Sequence, residues 1–130
     1  MFEYFRNRVL ISQVAAELKA QSKDQDLVRD ICFSATGMQI ILELCNSRFP
    51  KKGKLRYFMV TTFLLAETLS VIDIPLSVKA ACLQYLTPRR QKISAYLDNS
   101  NESPLITYED LKALDSIADI GIQLYLSQRG

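Results

Sequence analysis

Residues 55–72, LRYFMVTTFLLAETLSVI, form the longest apolar stretch of the chain, and their reading decides the fold. At 3.6 residues per turn, Tyr57, Val60, Leu64 and Val71 share one side, while Phe58, Met59, Leu65, Ala66, Leu69 and Ile72 share another. Thr61 and Thr68 make a thin strip between these faces, and Arg56, Glu67 and Ser70 lie opposite that strip. Two apolar faces require two neighbours, so the stretch is expected as the central helix of an all-helical bundle. The competing reading is a membrane span, which needs about 20 largely uncharged residues. Arg56, Glu67 and Asp73 interrupt the run too closely for that, since a charge near mid-bilayer costs about 3 kcal/mol.

Toward the N-terminus, residues 2–20 read as a helix with one apolar stripe of Tyr4, Leu10, Ile11, Val14 and Leu18 and a second of Phe2, Phe5, Val9 and Ala16. Gln21, Ser22, Lys23 and Asp24 make a polar connection, in which Ser22 or Asp24 suits an N-cap. A second helix over 24–46 is expected to turn Leu27, Ile31, Ala35, Met38, Leu42 and Cys45 to the core. Phe33, Gly37, Ile40 and Leu44 make a ridge across from that face, where Gly37 permits close approach of another helix. Arg48, Phe49, Pro50, Lys51, Lys52, Gly53 and Lys54 form a basic turn into the central helix.

Toward the C-terminus, a fourth helix is expected to open at Ile74-Pro75 with Leu76, Ala80, Leu83 and Leu86 on its stripe. Thr87-Pro88 reads as an N-cap followed by proline at the first helical position, which starts a short fifth helix through Ile93, Tyr96 and Leu97. Residues 98–104, DNSNESP, consist of turn formers and mark a loop. Thr107 and Asp110 have the spacing of a capping box, and Leu111, Leu114, Ala118, Ile122 and Tyr125 supply the core stripe of the last helix, extended by Ile117, Gly121 and Leu124. No strand-like alternation and no internal repeat interrupts this pattern. The expected fold is therefore an all-α single-domain bundle of five to six helices over residues 1–130, about 65 to 75% helical.

The chemistry available is narrow. Histidine is absent, which removes the usual general base near neutral pH and every Ser-His or Cys-His pair. Cys32, Cys45 and Cys82 lie in apolar helical patterns without metal-ligand spacing, so they are expected as buried free thiols. The segment FPKKGKLR has one glycine and lacks the frame of a phosphate-binding loop. Asp115 and Asp119, one helical turn apart, are too few for a metal centre and read as a solvated acidic face near Lys112. Glu67 would become a catalytic candidate only through burial. No cofactor, no metal and no enzymatic activity is expected.

Charge is divided along the chain, which carries a net +6 over residues 1–97 and −4 over 98–130. The leading expectation is a non-enzymatic helical protein–protein interaction module, such as an adaptor, chaperone-like subunit, inhibitor or immunity-type partner. It would self-associate as a homodimer through Phe2, Phe5, Val9, Phe33, Gly37, Ile40 and Leu44. The alternative is a small nucleic-acid-binding regulator. It would use basic residues read at two helix starts: Arg48, Lys51, Lys52, Lys54 and Arg56, with Arg89, Arg90 and Lys92. The N-terminal residues FEYFRNRVL carry charges where a signal peptide would be apolar, so a cytoplasmic location is expected.

Overall fold

The computed structural model describes residues 2–50, 53–99 and 106–130. These residues are 85% helical and contain no strand, so the protein is an all-α helical bundle and more helical than expected. The helices are α1 (Phe2–Gln21), α2 (Gln25–Cys32), α3 (Ala35–Glu43), α4 (Lys54–Thr68), α5 (Leu76–Asn99) and α6 (Tyr108–Arg129). A π-helical turn, Leu44–Arg48, continues α3. The chain packs as two compact units, Met1–Leu64 and Leu65–Gly130, and the division falls within α4. No described helix is long and apolar enough to cross a membrane.

In the first unit α1 packs on α2 and α3, burying Leu10, Ile11, Val14, Ala15 and Leu18. The chain leaves α1 through Ser22, whose hydroxyl accepts the Asp24 N–H at 3.1 Å. Asp24 Oδ1 in turn accepts the Leu27 N–H at 3.1 Å, capping α2 as the sequence implied.

The expected helix over 24–46 is instead two helices. Phe33 leaves helical geometry, and Ser34, in an extended conformation, accepts the Gly37 N–H at 3.0 Å to begin α3. This break resets the rotational phase. Gly37, Ile41 and Leu44 turn inward, while Ala35 is exposed and Met38 and Leu42 are half-buried, so beyond Ser34 only Cys45 of the expected core face is buried. Gly37 serves the close approach expected of it, but against its own chain: a Cβ there would lie 1.8 Å from the Ile31 carbonyl oxygen.

Every residue of α4 from Met59 to Ala66 is buried, so both apolar faces are covered and the threonine strip between them with them. Burial of the threonines is tolerated because Thr61 and Thr62 hydrogen-bond the Tyr57 and Phe58 carbonyls one turn back, each at 2.7 Å. The helix ends earlier than expected, passing through tight turns in which Leu69, Ser70 and Val71 donate to Ala66, Glu67 and Thr68.

In the second unit α5 packs on α6. The two helices expected on either side of Pro88 are one. Val78, Cys82, Leu86, Arg89, Ile93 and Leu97 are buried along one continuous stripe that runs past the proline. Pro88 and Gln84 are both exposed, so the N–H that proline lacks would have met the Gln84 carbonyl on the solvent side of the helix. The α6 N-terminus has the expected capping box, with Thr107 Oγ1 accepting the Asp110 N–H at 3.2 Å and Asp110 Oδ2 accepting the Thr107 N–H at 3.0 Å. Of the expected loop over 98–104, Asp98 and Asn99 belong to α5, and the remainder lies outside the described residues.

Candidate functional site

Two sets of residues were expected to meet partners, and the structure treats their members differently. On α1, Phe5 and Val9 are 60% and 55% exposed, one turn apart on the side opposite the buried stripe. Tyr4, expected in the buried stripe, is 60% exposed, because only from Leu10 onward is that stripe covered. Phe2 is helical, and its side chain lies outside the described residues. Arg6 and Arg8 flank the Phe5/Val9 patch and are themselves exposed.

The ridge on the second helical segment is not brought together as a surface. Phe33 is exposed at the bend, Ile40 is half-buried, and Gly37 and Leu44 are buried. Exposed Ala35 and half-buried Met38 and Leu42 instead line an open groove with Glu43 and Asn46. The signal for this was Ser34-x-x-Gly37, an N-cap spacing that lies inside an apolar run.

A further apolar pair is Ile120 and Leu124 on α6, 62% and 44% exposed and one turn apart; Ile120 belonged to no expected stripe, and Leu124, expected to extend the core stripe, turns outward instead. They sit away from the buried positions Leu114, Ala118, Gly121 and Tyr125. Asp119 beside them has a side chain 70% exposed.

The basic residues divide between the two units. Lys51 and Lys52 lie outside the described residues, as does the side chain of Lys54. Arg48 is exposed, with its guanidinium 5.1 Å from the centre of the Phe63 ring. Arg56 is half-buried and bonds the backbone, donating Nε to the Phe49 carbonyl at 2.7 Å and Nη2 to the Cys45 carbonyl at 2.9 Å. In the second unit Arg89 is 1% exposed, and Arg90 pairs with Asp115 at 2.8 Å and with Asp119 at 3.5 Å. Lys92 is exposed and has a partner within the chain.

Residues 89–92 were read as a helix start, but they occupy the middle of α5. Their backbone N–H groups are therefore consumed by the helix rather than offered to a phosphate. Asp115 and Asp119 are bridged by Arg90 rather than by Lys112, which answers their mutual repulsion from the neighbouring helix.

Glu67 is half-buried and not without a partner. All three cysteines are buried and free. Burial pushes the Cys32 thiol up to about 12, with the Glu17 carboxylate adding to the shift and Lys19 opposing it. Such a thiol is a packing group at neutral pH, not a nucleophile. Among the described residues no group of three or more Cys, Asp or Glu side chains could hold a metal ion.

No protein-family model, curated protein or solved structure matches this chain. Functional inference therefore rests on its own surfaces.

Proposed function

We propose that this protein is a non-enzymatic helical interaction module that associates with a second copy of itself. The observation that carries the reading is the exposed Phe5/Val9 pair on α1, for an aromatic and a β-branched residue turned to water one helical turn apart lose apolar contact for no local structural return. The second copy is favoured by charge complementarity. Arg6 and Arg8 border the α1 patch, and Asp119, its side chain 70% exposed and held by Arg90 only at 3.5 Å, borders the Ile120/Leu124 patch on α6, so α1 of one copy and α6 of another fit in both apolarity and sign. A two-fold dimer is the commonest closed assembly of identical chains.

Among the residues expected at a partner surface, Phe5 and Val9 remain in this proposal, while buried Gly37 and Leu44 do not. The nucleic-acid alternative has less support, because Arg56, Arg89 and Arg90 are held by intrachain contacts or burial.

Light scattering coupled to size exclusion tests the proposal at about 20 μM, a concentration at which a micromolar dimer is well populated. The expected result is twice the chain mass for the wild type and the monomer mass for Phe5→Glu and for Ile120→Asp, with helical circular dichroism unchanged in both. A wild-type chain that stays monomeric, or a dimer indifferent to both substitutions, would remove this mode of self-association.

A further inference from the structure

Within the first unit a half-open cleft of about 540 Å³ lies between the N-terminal half of α1, the π-turn and the start of α4. Val9 and Leu10 form apolar wall, and Arg6, Asn46, Arg56 and Tyr57 supply the polar groups. Among the described residues no carboxylate lines it, so the two guanidiniums meet no negative side chain in its lining. Arg6 makes no ion pair among the described residues. Arg56 is fixed in place by its bonds to the Phe49 and Cys45 carbonyls, which occupy Nε and Nη2 and leave Nη1 to point elsewhere.

This is the composition of a small-molecule site: an apolar body with a few placed polar groups, one of them immobilised before any ligand arrives. A second observation agrees. The cleft draws Cys45 and Asn46 from the π-turn, an uncommon backbone form that recurs at functional sites because it widens the helix and redirects side chains.

We propose that this cleft binds an amphipathic oxyanion, a carboxylate or phosphate monoester carrying an unbranched apolar chain. The head group is held by Arg6 and Arg56 Nη1, with the Tyr57 hydroxyl and Asn46 amide as further donors, and the chain lies along Val9 and Leu10. Guanidinium groups suit this head because their planar N–H pairs match two oxygens of a carboxylate or phosphate at once.

The proposal does not depend on self-association, although Val9 belongs to the α1 patch and Arg6 flanks it. Phe5 does not line the cleft, so Phe5→Glu provides a background in which a dimer cannot cover it.

Isothermal titration of the full chain, wild type and Phe5→Glu, with decyl phosphate and decanoate below their micelle concentrations provides the test. Inorganic phosphate and acetate serve as head-group controls. Saturable one-site binding to Phe5→Glu is expected. The decyl compounds should bind about 100-fold more tightly than the bare anions, because several methylenes leave water. Adding Arg6→Gln should weaken binding about tenfold and Tyr57→Phe about threefold, as charge-assisted and neutral hydrogen bonds differ. Arg6 is exposed, so its variant should keep the wild-type circular dichroism even if an Arg56 variant unfolds. A stronger response to decyl phosphate than to decanoate would assign the head group to phosphate, and the reverse to carboxylate. Absence of saturable binding, equal binding of inorganic phosphate and decyl phosphate, or indifference to Arg6→Gln would each overturn the site.

Discussion

The guanidinium of Arg56 donates to the Cys45 carbonyl at 2.9 Å, in place of an N–H that Pro50 lacks. In the π-turn each carbonyl looks five residues ahead, as Leu44 does when it accepts the Phe49 N–H at 2.7 Å, and the next donor in that register would be Pro50. Arg56 also closes the Phe49 carbonyl, so one side chain satisfies two acceptors at the end of the helix. Arg56→Met should therefore cost about 2 to 4 kcal/mol, the sum of two carbonyls left without donors in a half-buried place. Arg56→Lys should recover only part of this, since an ammonium cannot span both. Urea denaturation would measure it, and a cost below about 0.5 kcal/mol for Arg56→Met would contradict the assignment.

Gly121 opposes two effects of known sign. Alanine is the better helix former by about 1 kcal/mol, yet a Cβ at Gly121 would lie 2.7 Å from Leu69 Cβ and 3.0 Å from the Ala66 carbonyl oxygen. Neither neighbour is the free end of a side chain that can rotate away, so the steric effect wins. Gly121→Ala should lower stability by about 1 to 3 kcal/mol, and a stabilised variant would show that α6 can move from that contact.

Pro88 distinguishes one helix from two. If it opened a new helix, replacing it would be neutral or harmful. Inside α5, with its ring exposed, it removes one helical hydrogen bond and crowds the preceding turn, so Pro88→Ala should raise stability by about 1 to 3 kcal/mol. Thermal unfolding of the variant gives the answer by the sign of the change in Tm.

The buried Lys79 ammonium donates to Gln128 Oε1 at 2.7 Å, linking α5 to α6 near the end of the chain. Removing the acceptor should be worse than removing both polar groups. Gln128→Ala is expected to cost about 1 to 2 kcal/mol, and Lys79→Met with Gln128→Leu to cost less or to stabilise. Equal losses in the single and double variants would mean that the bond contributes nothing beyond packing.

Cys32 sets an alkaline limit. Its thiol is raised to about 12 from an ordinary value of 9.0 by burial, so the unfolded chain loses this proton first. The stability it contributes is complete below pH 9 and is lost as pH rises from 9 toward 12, at up to about 1.4 kcal/mol per pH unit. Cys32→Ala should flatten the decline between pH 9 and 11 in denaturation experiments. In the native wild type at pH 8, Cys32 should react with a thiol reagent only at the rate of opening.

The all-helical class was legible from the 3.6-residue periodicity, the absence of strand alternation and the two apolar faces of α4, since a helix with two such faces has to be covered on both. Caps at Asp24 and Thr107 were also legible, because an N-cap is made by residues three positions apart and owes little to the rest of the chain. The second stripe on α1 was visible too, although only the structure established that Phe5 and Val9 stay exposed.

Local signals misled where two of them competed. Thr87-Pro88 has the form of a helix start, but burial of Leu86, Arg89, Ile93 and Leu97 along a single stripe outweighs the loss of one exposed hydrogen bond. Ser34 lies inside an apolar run that periodicity alone continues, and its cap to Gly37 turns the following helix so that Leu44 goes inward and Met38 is only half-buried. The fate of charge was decided only by tertiary structure. The sequence by itself determined how many arginines there are and that their charge gathers toward the N-terminal side. Which of them are spent on Cys45, Phe49 and Asp115, and which remain for a ligand, depends on residues 7 to 25 positions away meeting at hydrogen-bond distance, and periodicity along one helix carries no information about that.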